Sequence, residues 1–184
     1  MRRAHLKYGL AKRTNKMVGT TKESTEAFDG IIALGSNLGD KVGNIDTAIR
    51  LLGERGGVRL VRRSRNFTTE PWGKTDQDTF VNACISVATK LSPRALLERC
   101  QEIERHMGRV QTEKWGPRLI DLDLLVYGDQ TIQEPDFVLP HPHIGERAFV
   151  LAPLIDIAPD LVLGGRSIRT LHAAIDLSGV QPLP

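Results

Sequence analysis

The apolar positions of the chain fall into short strand-like and helix-like runs. Residues 30–34 form an apolar run that ends in a Gly/Asn-rich turn at 35–40, which is typical of a buried strand entering a turn. Apolar residues then recur at helical spacing over 45–52, with Asn44 as the expected N-cap, and the glycines at 56–57 end the helix. The pattern therefore predicts a strand followed by a helix.

Two further strands, a second helix and a fourth strand are predicted downstream. Residues 58–67 alternate and are rich in arginine, which predicts one half-exposed strand, and residues 80–89 predict another after a Pro/Gly loop. A Ser-Pro pair followed by helical spacing predicts a helix over 92–108. The last strand of this series is predicted at 119–127.

The order of these elements is β-α-β-β-α-β, which favours the α+β class. This is the split βαβ, ferredoxin-like arrangement, an antiparallel sheet with two helices packed on one face. Residues from 129 onward are expected to add a short hairpin, a helix near 146–154 and a closing segment. The chain has 184 residues, so 29–184 is predicted to be a single domain.

Charge is distributed unevenly along the chain. Residues 1–28 hold seven Lys/Arg and two acidic residues, whereas 29–184 hold eighteen basic and twenty acidic ones, although the whole chain is +3. The first segment has little apolar periodicity and is predicted to be a disordered basic extension. It lacks the apolar stretch of a secretory signal; a variable extension is favoured and a transit peptide stays open. Basicity in a tail does not predict a nucleic-acid surface.

Apolar run lengths and cysteines bear on the compartment. No run approaches the roughly 18 apolar residues of a membrane helix, so no membrane span is expected. Cys84 and Cys100 lie in apolar runs and are expected to be free buried thiols, with a disulfide as the alternative. Both observations favour a cytoplasmic protein, and an organelle stays open.

The fourth predicted strand carries two carboxylates. Asp121 and Asp123 are spaced i, i+2, so they project from one face about 6.5–7 Å apart, while Leu122 and Leu124 point to the core. Like charges side by side repel unless a cation lies between them, and Mg²⁺ takes carboxylate and phosphate oxygens. A metal site is favoured over the alternative, a polar face of an exposed strand.

A basic loop precedes these acids. Arg109, Lys114 and Arg118 lie on a Gly/Pro-containing segment, which suits a polyphosphate clamp, although a basic loop is often only solvated. The turn at 35–41 lacks the Walker spacing and is not a P-loop. The pair at 141 and 143 is interpreted as hydrogen-bonding histidines rather than metal ligands.

Several motifs together resemble a known family, 6-hydroxymethyl-7,8-dihydropterin pyrophosphokinase of folate biosynthesis. They extend over about residues 30–163, and the most specific is the block at 115–125. The motifs are IALGSNLGD at 32–40, TEPWG at 69–73, FVNA at 80–83, GRV at 108–110, WGPRLIDLDLL at 115–125, LPHPH at 139–143 and RAFVL at 147–151.

The resemblance implies a Mg²⁺-dependent enzyme that transfers the pyrophosphoryl group of ATP to the pterin hydroxymethyl group, giving the pterin diphosphate and AMP. Asp121 and Asp123 match the pair that holds two Mg²⁺ ions, so catalysis is expected to be mainly positioning and charge neutralisation. Arg109 and Arg118 match arginines that engage the phosphates during transfer.

The resemblance also implies two substrate sites. The positions that match the family's ATP site are Gln101, Glu104, Lys114, Trp115, Arg118, Leu124, His141 and Arg147. The positions that match its pterin site are Thr69, Trp72, Phe80, Asn82 and Phe149. The two phenylalanines would sandwich the flat ring, and the amide would bind its edge.

Two positions depart from the family pattern. Gln111 and Lys114 stand where many members carry Arg, which predicts weaker ATP binding or a slower step. Two other classes share parts of the pattern, an RNA-recognition module and a regulatory ligand-binding module. The first lacks its central-strand motif here and would need a basic surface, whereas 29–184 carry two more acidic than basic residues, and the second gives no reason for the pair Asp121 and Asp123. ATP and the pterin are therefore the expected partners, and association with a dihydropteroate synthase is left open.

Overall fold

An antiparallel sheet with helices on both faces forms the body of the protein in this computed structural model, which describes residues 27–71, 76–109 and 116–184. The strands are β1 (Gly30–Ser36), β2 (Val58–Arg63), β3 (Phe67–Thr69), β4 (Phe80–Thr89), β5 (Asp121–Tyr127), β6 (Ile132–Glu134), β7 (Phe137–Leu139), β8 (Val162–Leu163), β9 (Arg166–Ser167) and β10 (Val180–Pro182). The helices are α1 (Lys41–Glu54), α2 (Pro93–His106), α3 (Ala148–Ile157) and α4 (Ile168–Ala174), with a 3₁₀ turn at Ile144–Glu146.

The main sheet has the order β10-β3-β4-β1-β5, and β2 also pairs with β4. Its strand pairs are antiparallel throughout, as the sequence predicts. Two small hairpins, β6-β7 and β8-β9, belong to the C-terminal additions. The helix expected near 146–154 is α3, which begins two residues later and extends to Ile157.

The single strand predicted over 58–67 is wrong, because the chain forms two strands there. β2 carries a register shift between Leu60 and Arg62, and β3 starts only at Phe67. Between them the Ser64 hydroxyl accepts the backbone N–H of Cys84 at 2.9 Å. A side chain thus replaces a backbone partner, which ends the regular ladder while keeping both strands on β4.

Local side-chain bonds decide where the two long helices begin. The Asn44 cap is wrong: the Asp40 side chain accepts the N–H of Gly43 at 2.9 Å, so α1 begins at Lys41. Asn44 lies in the first turn and donates its side-chain N–H to the carbonyl of Leu38 at 2.8 Å. The start of α2 is as predicted, since the Ser92 hydroxyl accepts the N–H of Ala95 at 3.2 Å.

Two apolar clusters fill the two faces of the sheet. α1 and α2 pack on one face, and α3 and α4 pack on the other. Cys100 lies in the first cluster and Cys84 in the second, both as free buried thiols, as predicted. The second cluster also contains Phe28, the last residue of the segment predicted as an extension, which is only 6% exposed. Of that segment, residues 1–26 lie outside the described residues.

The helices can also be compared with the thickness of a bilayer. Within the three described ranges, no helix combines the length and the apolar character that a membrane crossing requires.

Candidate active site

One pocket lies at the end of the sheet where β1 finishes and β5 begins. The strand register sets Gly35 of β1 opposite Asn82 of β4 on one side and Asp121 of β5 on the other. The pocket holds about 690 Å³ of empty space, part of it open to solvent. Its lining residues are Ala33, Leu34, Gly35, Glu70, Gln77, Phe80, Asn82, Arg118, Asp121, Asp123, Arg147, Phe149 and Val150.

Asp121 and Asp123 both line this pocket, as strand alternation predicts. Leu122 and Leu124 between and beyond them are buried on the opposite face of the sheet. Removal of water by the surrounding pocket raises the pKa of Asp123 to about 6, and the negative charge of Asp121 adds to this effect. The side chain of Asp123 nevertheless keeps 42% of its surface accessible, so the carboxylate remains reachable from solvent.

Two guanidinium groups each bind one of the two carboxylate oxygens of Asp121. Arg109 places Nη1 2.7 Å from Oδ1, and Arg118 places Nη1 2.6 Å from Oδ2. Arg147 approaches the second carboxylate more loosely, with Nη1 3.9 Å from Oδ2 of Asp123. The structure thus gathers three arginines around the two carboxylates.

A buried carboxylate holds Arg109 from its other side. Glu104 of α2 is only 6% exposed, accepts the backbone N–H of Leu122 at 2.7 Å and forms an ion pair with Arg109. Burial raises the pKa of Glu104 to about 7, although the Leu122 N–H and the positive charge of Arg109 act in the opposite direction. Arg109 is therefore held between Glu104 and Asp121, which fixes its position at the pocket edge.

The other half of the pocket is aromatic and amide-bearing. Phe80 and Phe149 both line it, and the guanidinium carbon of Arg147 lies 5.7 Å from the centre of the Phe149 ring. Asn82 donates its side-chain N–H to the hydroxyl of Thr69 at 2.7 Å, and both residues are buried. The bond to Thr69 orients the Asn82 amide.

His141 lies on the arginine side of the pocket, near Arg147. Its backbone N–H donates to the carbonyl of Leu125 at 2.8 Å, and its Nδ1 accepts the N–H of His143 at 3.3 Å. Burial lowers the pKa of His141 to about 4, and the positive charge of Arg147 lowers it further. Within the described ranges, no group of three or more His, Cys, Asp or Glu side chains could hold a metal ion.

Some expected site residues stand apart from the pocket. Gln101 is exposed on α2, and the side chain of Leu124 is buried in the first apolar cluster. Trp72, Lys114 and Trp115 lie outside the described residues, as does Gln111.

Other residues reach the site without having been expected from the sequence. Glu70 and Gln77 line the pocket, and Asn37 forms hydrogen bonds to the side chain of Gln77 and to the backbone N–H of Arg118. The Gly-Ser-Asn motif at 35–37 is the sequence feature that could have pointed to Asn37. The motif does not indicate which distant residues Asn37 binds.

Comparison with known proteins identifies the family. A family model described as 7,8-dihydro-6-hydroxymethylpterin-pyrophosphokinase (HPPK) matches residues 31–159. Two proteins called 2-amino-4-hydroxy-6-hydroxymethyldihydropteridine pyrophosphokinase are similar over most of this chain. The one from Methylorubrum extorquens is 47% identical over 82% of this chain and 95% of its own length. The one from Pseudomonas aeruginosa is 42% identical over 83% and 95%.

Solved structures support the same fold at lower identity. An HPPK-DHPS crystal structure in complex with substrates has a TM-score of 0.68 at 13% identity, covering 84% of this chain. Wild-type HPPK-DHPS of Plasmodium falciparum with pteroate has a TM-score of 0.63 at 16% identity, covering 83% of this chain. This chain spans 46% and 43% of those two longer chains. It belongs to the 7,8-dihydro-6-hydroxymethylpterin-pyrophosphokinase family, whose reaction transfers pyrophosphoryl from ATP to hydroxymethyldihydropterin in folate biosynthesis.

Proposed function

We propose that the pocket at the end of β1 is where this chain carries out its family's transfer, giving AMP and the pterin diphosphate. The observation that carries this proposal is the register around Gly35, which sets Asn82 on one side and Asp121 on the other. An aromatic and amide half thus adjoins a carboxylate and guanidinium half within one cavity. A flat heterocycle and a polyphosphate can therefore meet there.

The pterin is proposed to bind in the aromatic half. Phe80 and Phe149 offer ring faces for stacking on a planar heterocycle, and the Asn82 amide offers an acceptor and a second N–H to the ring edge. Thr69 uses one N–H of that amide, which leaves the remaining groups oriented in advance. Trp72 is proposed as a further pterin contact on the strength of the family motif.

The triphosphate of ATP is proposed to bind in the guanidinium half. Arg109 and Arg118 can exchange the Asp121 carboxylate for phosphate oxygens, because guanidinium binds both groups through the same fork of N–H donors. Arg147, beside Asp123, adds a third positive charge. The remaining proposed ATP-site positions follow the family motif, namely Gln101, Glu104, Lys114, Trp115, Leu124 and His141.

The carboxylate pair fits a divalent cation. Asp121 and Asp123 supply hard oxygen donors on one pocket face, and burial together with the negative charge of Asp121 raises the pKa of Asp123, an effect that a bound cation would offset. We propose that this pair holds two Mg²⁺ ions together with ATP. Bound Mg²⁺ would supply neutralisation of phosphate charge.

The protein's own contribution to the step is alignment. The pterin hydroxymethyl oxygen forms a bond to the β-phosphorus, the bond from that phosphorus to the oxygen of the α-phosphate breaks, and AMP leaves with that oxygen. Phe80, Asn82 and Phe149 would fix the nucleophile, while Arg109 and Arg118 would fix the phosphates. The hydroxyl proton is released as the new bond forms.

We also propose a core topology, a domain organisation, partners and a cellular location for this chain. The order β5-β1-β4-β2, with α1 and α2 on one face, supports a ferredoxin-like core within a single domain spanning 29–184. Small molecules are proposed as the partners, without nucleic acid or membrane, and the cytoplasm as the location. The basic residues 1–26 are proposed to be dispensable for catalysis.

AMP formation from ATP, hydroxymethyldihydropterin and Mg²⁺ tests the assignment of the pocket. Wild-type protein should release AMP only when the pterin is present. Asp121→Ala and Asp123→Ala should each lower turnover by about a thousandfold or more, because both carboxylates lie at the reacting phosphates. Asp129→Ala, at an exposed position just beyond β5, is the matched control and should remain active. Full activity in either pocket variant would show that the reaction occurs elsewhere.

A further inference from the structure

Two arginines of the β2–β3 segment bind the C-terminal end of α3. Arg65, which lies between the two strands, places Nη2 2.9 Å from Oδ1 of Asp156 and Nε 3.0 Å from Oδ2. Its backbone N–H donates to the same Oδ2 at 3.2 Å. Arg62 of β2 donates from Nη1 to the carbonyl of Ile157 at 3.0 Å. The arginine-rich stretch of the sequence is thus attached to the last turn of this helix.

These bonds complement the charge and the free carbonyls of the helix end. The last turn of α3 contains no basic residue of its own. The last carbonyls of a helix lack partners within the helix, and the helix dipole makes this end negative. Arg62 and Arg65 supply the missing donors and positive charge from another part of the chain. Because Arg65 binds Asp156 through a fork of two donors, the contact fixes direction as well as distance.

The opposite end of the same helix forms one wall of the pocket. Phe149 and Val150 line the pocket from the first turn of α3. Asp156 follows Phe149 by seven residues, which is about 10 Å along the helix axis. The helix packs in the second apolar cluster, and apolar contacts are not directional. They press the helix against the sheet, whereas the bonds at Asp156 determine its position along the sheet.

Arg65 also contacts the strand beside the pterin amide. Its guanidinium carbon lies 5.2 Å from the centre of the Phe67 ring. Phe67 is the register partner of Asn82 in β4, and Thr69, two residues further along β3, accepts the side-chain N–H of Asn82. One side chain therefore connects β3, next to Asn82, with the helix that carries Phe149.

We propose that Arg65 and Asp156 are positioning residues for the pterin, which hold α3 in place against β3 and β4 and so set the gap between the rings of Phe149 and Phe80. The inference rests on the proposed function of the pocket. Stacking on a flat heterocycle is favourable only over a narrow range of ring separations and offsets, so a small shift of α3 weakens it.

The phosphate side of the pocket is expected to be much less sensitive to such a shift. Arg109 and Arg118 bind Asp121 on β5, and β1 lies between β5 and β4 in the sheet. Loss of the contact between Arg65 and Asp156 should therefore affect the two substrates unequally.

Steady-state kinetics with each substrate varied in turn tests this role. Arg65→Gln and Asp156→Asn should each raise the KM for hydroxymethyldihydropterin by about three- to tenfold, the size of a misplaced aromatic contact, and change the KM for ATP by about twofold or less. The thermal midpoint should barely move, because the Arg65 side chain is 61% exposed and ion pairs at exposed positions add little stability. A purely structural role predicts the opposite, a lower midpoint with an unchanged KM in the folded protein.

Matched variants check that the effect belongs to this contact. The double variant with Arg65→Gln and Asp156→Asn should be little worse than the more affected single variant, because both changes break the same contact. Arg169→Gln removes an exposed ion pair with Asp160, which joins the segment just after α3 to α4 instead of to the β2–β3 segment. This control should keep both wild-type KM values.

The outcomes separate the inference from the proposed function. If the wild type releases AMP with the pterin but the folded variants keep its KM for the pterin, the inference is wrong and the proposed function stands. An equal rise in both KM values also overturns the inference, because the effect is then not confined to the pterin side. If one single variant fails to fold, the other decides. If the wild type releases no AMP, the proposed function fails and the inference fails with it.

Discussion

Arg118 holds one oxygen of Asp121 at 2.6 Å while Arg109 holds the other at 2.7 Å. The carboxylate that the family motif assigns to Mg²⁺ is thus already neutralised by two resident cations. Charge-assisted pairs of this kind are strong in a partly buried setting, so an entering metal ion competes with them. Phosphate oxygens remove this competition, because they give the guanidinium groups new partners.

Mg²⁺ alone should therefore bind more tightly when one competing cation is removed. Arg118→Gln is expected to raise the affinity for Mg²⁺ in the absence of ATP by about tenfold, while turnover with ATP falls. A titration with Mn²⁺, which takes the place of Mg²⁺ and is followed by electron paramagnetic resonance, measures the change in metal affinity. Arg105→Gln makes the same charge change on an exposed face of α2 and should leave the affinity unchanged. Unchanged or weaker metal binding by Arg118→Gln would contradict the competition.

The absence of a side chain at Gly35 should be required for pterin binding, because it leaves room for the Asn82 amide. A Cβ atom at this position would stand 2.9 Å from Oδ1 of Asn82, closer than such contacts occur, and the amide is tied to Thr69. Gly35→Ala should therefore displace the amide and raise the KM for the pterin by about tenfold, with little change in the KM for ATP. Steady-state kinetics with each substrate varied in turn gives both values.

Gly53→Ala supplies the comparison for that experiment. A Cβ at Gly53 meets no atom within 4 Å and lies in the last turn of α1, so this variant should bind the pterin normally and be at least as stable. An equal rise in the KM values for both substrates in Gly35→Ala would indicate a general distortion of the sheet instead of an effect on Asn82.

The paired carboxylates could be predicted because strand periodicity is local. Side chains two residues apart in β5 lie on one face, so Asp121 and Asp123 share the pocket while Leu122 between them faces the core. The partners of Asp121 were harder to predict from the sequence. Arg118 lies three residues away, but Arg109, just beyond the end of α2, reaches Asp121 only because α2 packs against β5, and no sequence pattern states that contact.

Sequence patterns mispredict the places where a side chain takes the hydrogen-bonding role of a backbone group. Asp40 and Asn44 are both good caps, and the choice depends on which side chain reaches a free N–H, which Asp40 does. The split of the Arg-rich strand depends on the Ser64 hydroxyl meeting the N–H of Cys84 on another strand. Asn37 belongs to the same class, because its bonds to Gln77 and Arg118 join segments some 40 to 80 residues away.

His141 should stay neutral across the physiological range. Its pKa lies near 4 in the folded protein, lowered first by burial and then by the charge of Arg147, and near 6.5 when unfolded. The unfolded chain therefore takes up a proton first, so the contribution of His141 to stability is present above about pH 6.5 and is lost as the pH falls toward 4. Imidazole resonances followed by NMR against pH should give a midpoint well below 6.5.

Arg147→Gln tests the electrostatic part of that shift. Removing the guanidinium charge should raise the pKa of His141, but only in part, because burial is the larger cause. Arg105→Gln, distant from the pocket on the exposed side of α2, should leave the His141 midpoint where it is in the wild type. A midpoint near 6.5 in the wild-type protein would show that His141 is more solvated than its contacts indicate.

The two cysteines should be inert in the folded protein. Burial raises the pKa of Cys84 far above its usual range and that of Cys100 to about 12, so neither thiol supplies the thiolate that reacts with disulfide reagents. At about pH 8, a thiol reagent should modify both only at the rate of unfolding, and two equivalents should react at once in denaturant. Ser178→Cys introduces an exposed thiol that should react immediately under the same conditions. Rapid modification of Cys84 in native protein would mean that α3, whose Val150 carbonyl lies 3.9 Å from its sulfur, opens readily from the sheet.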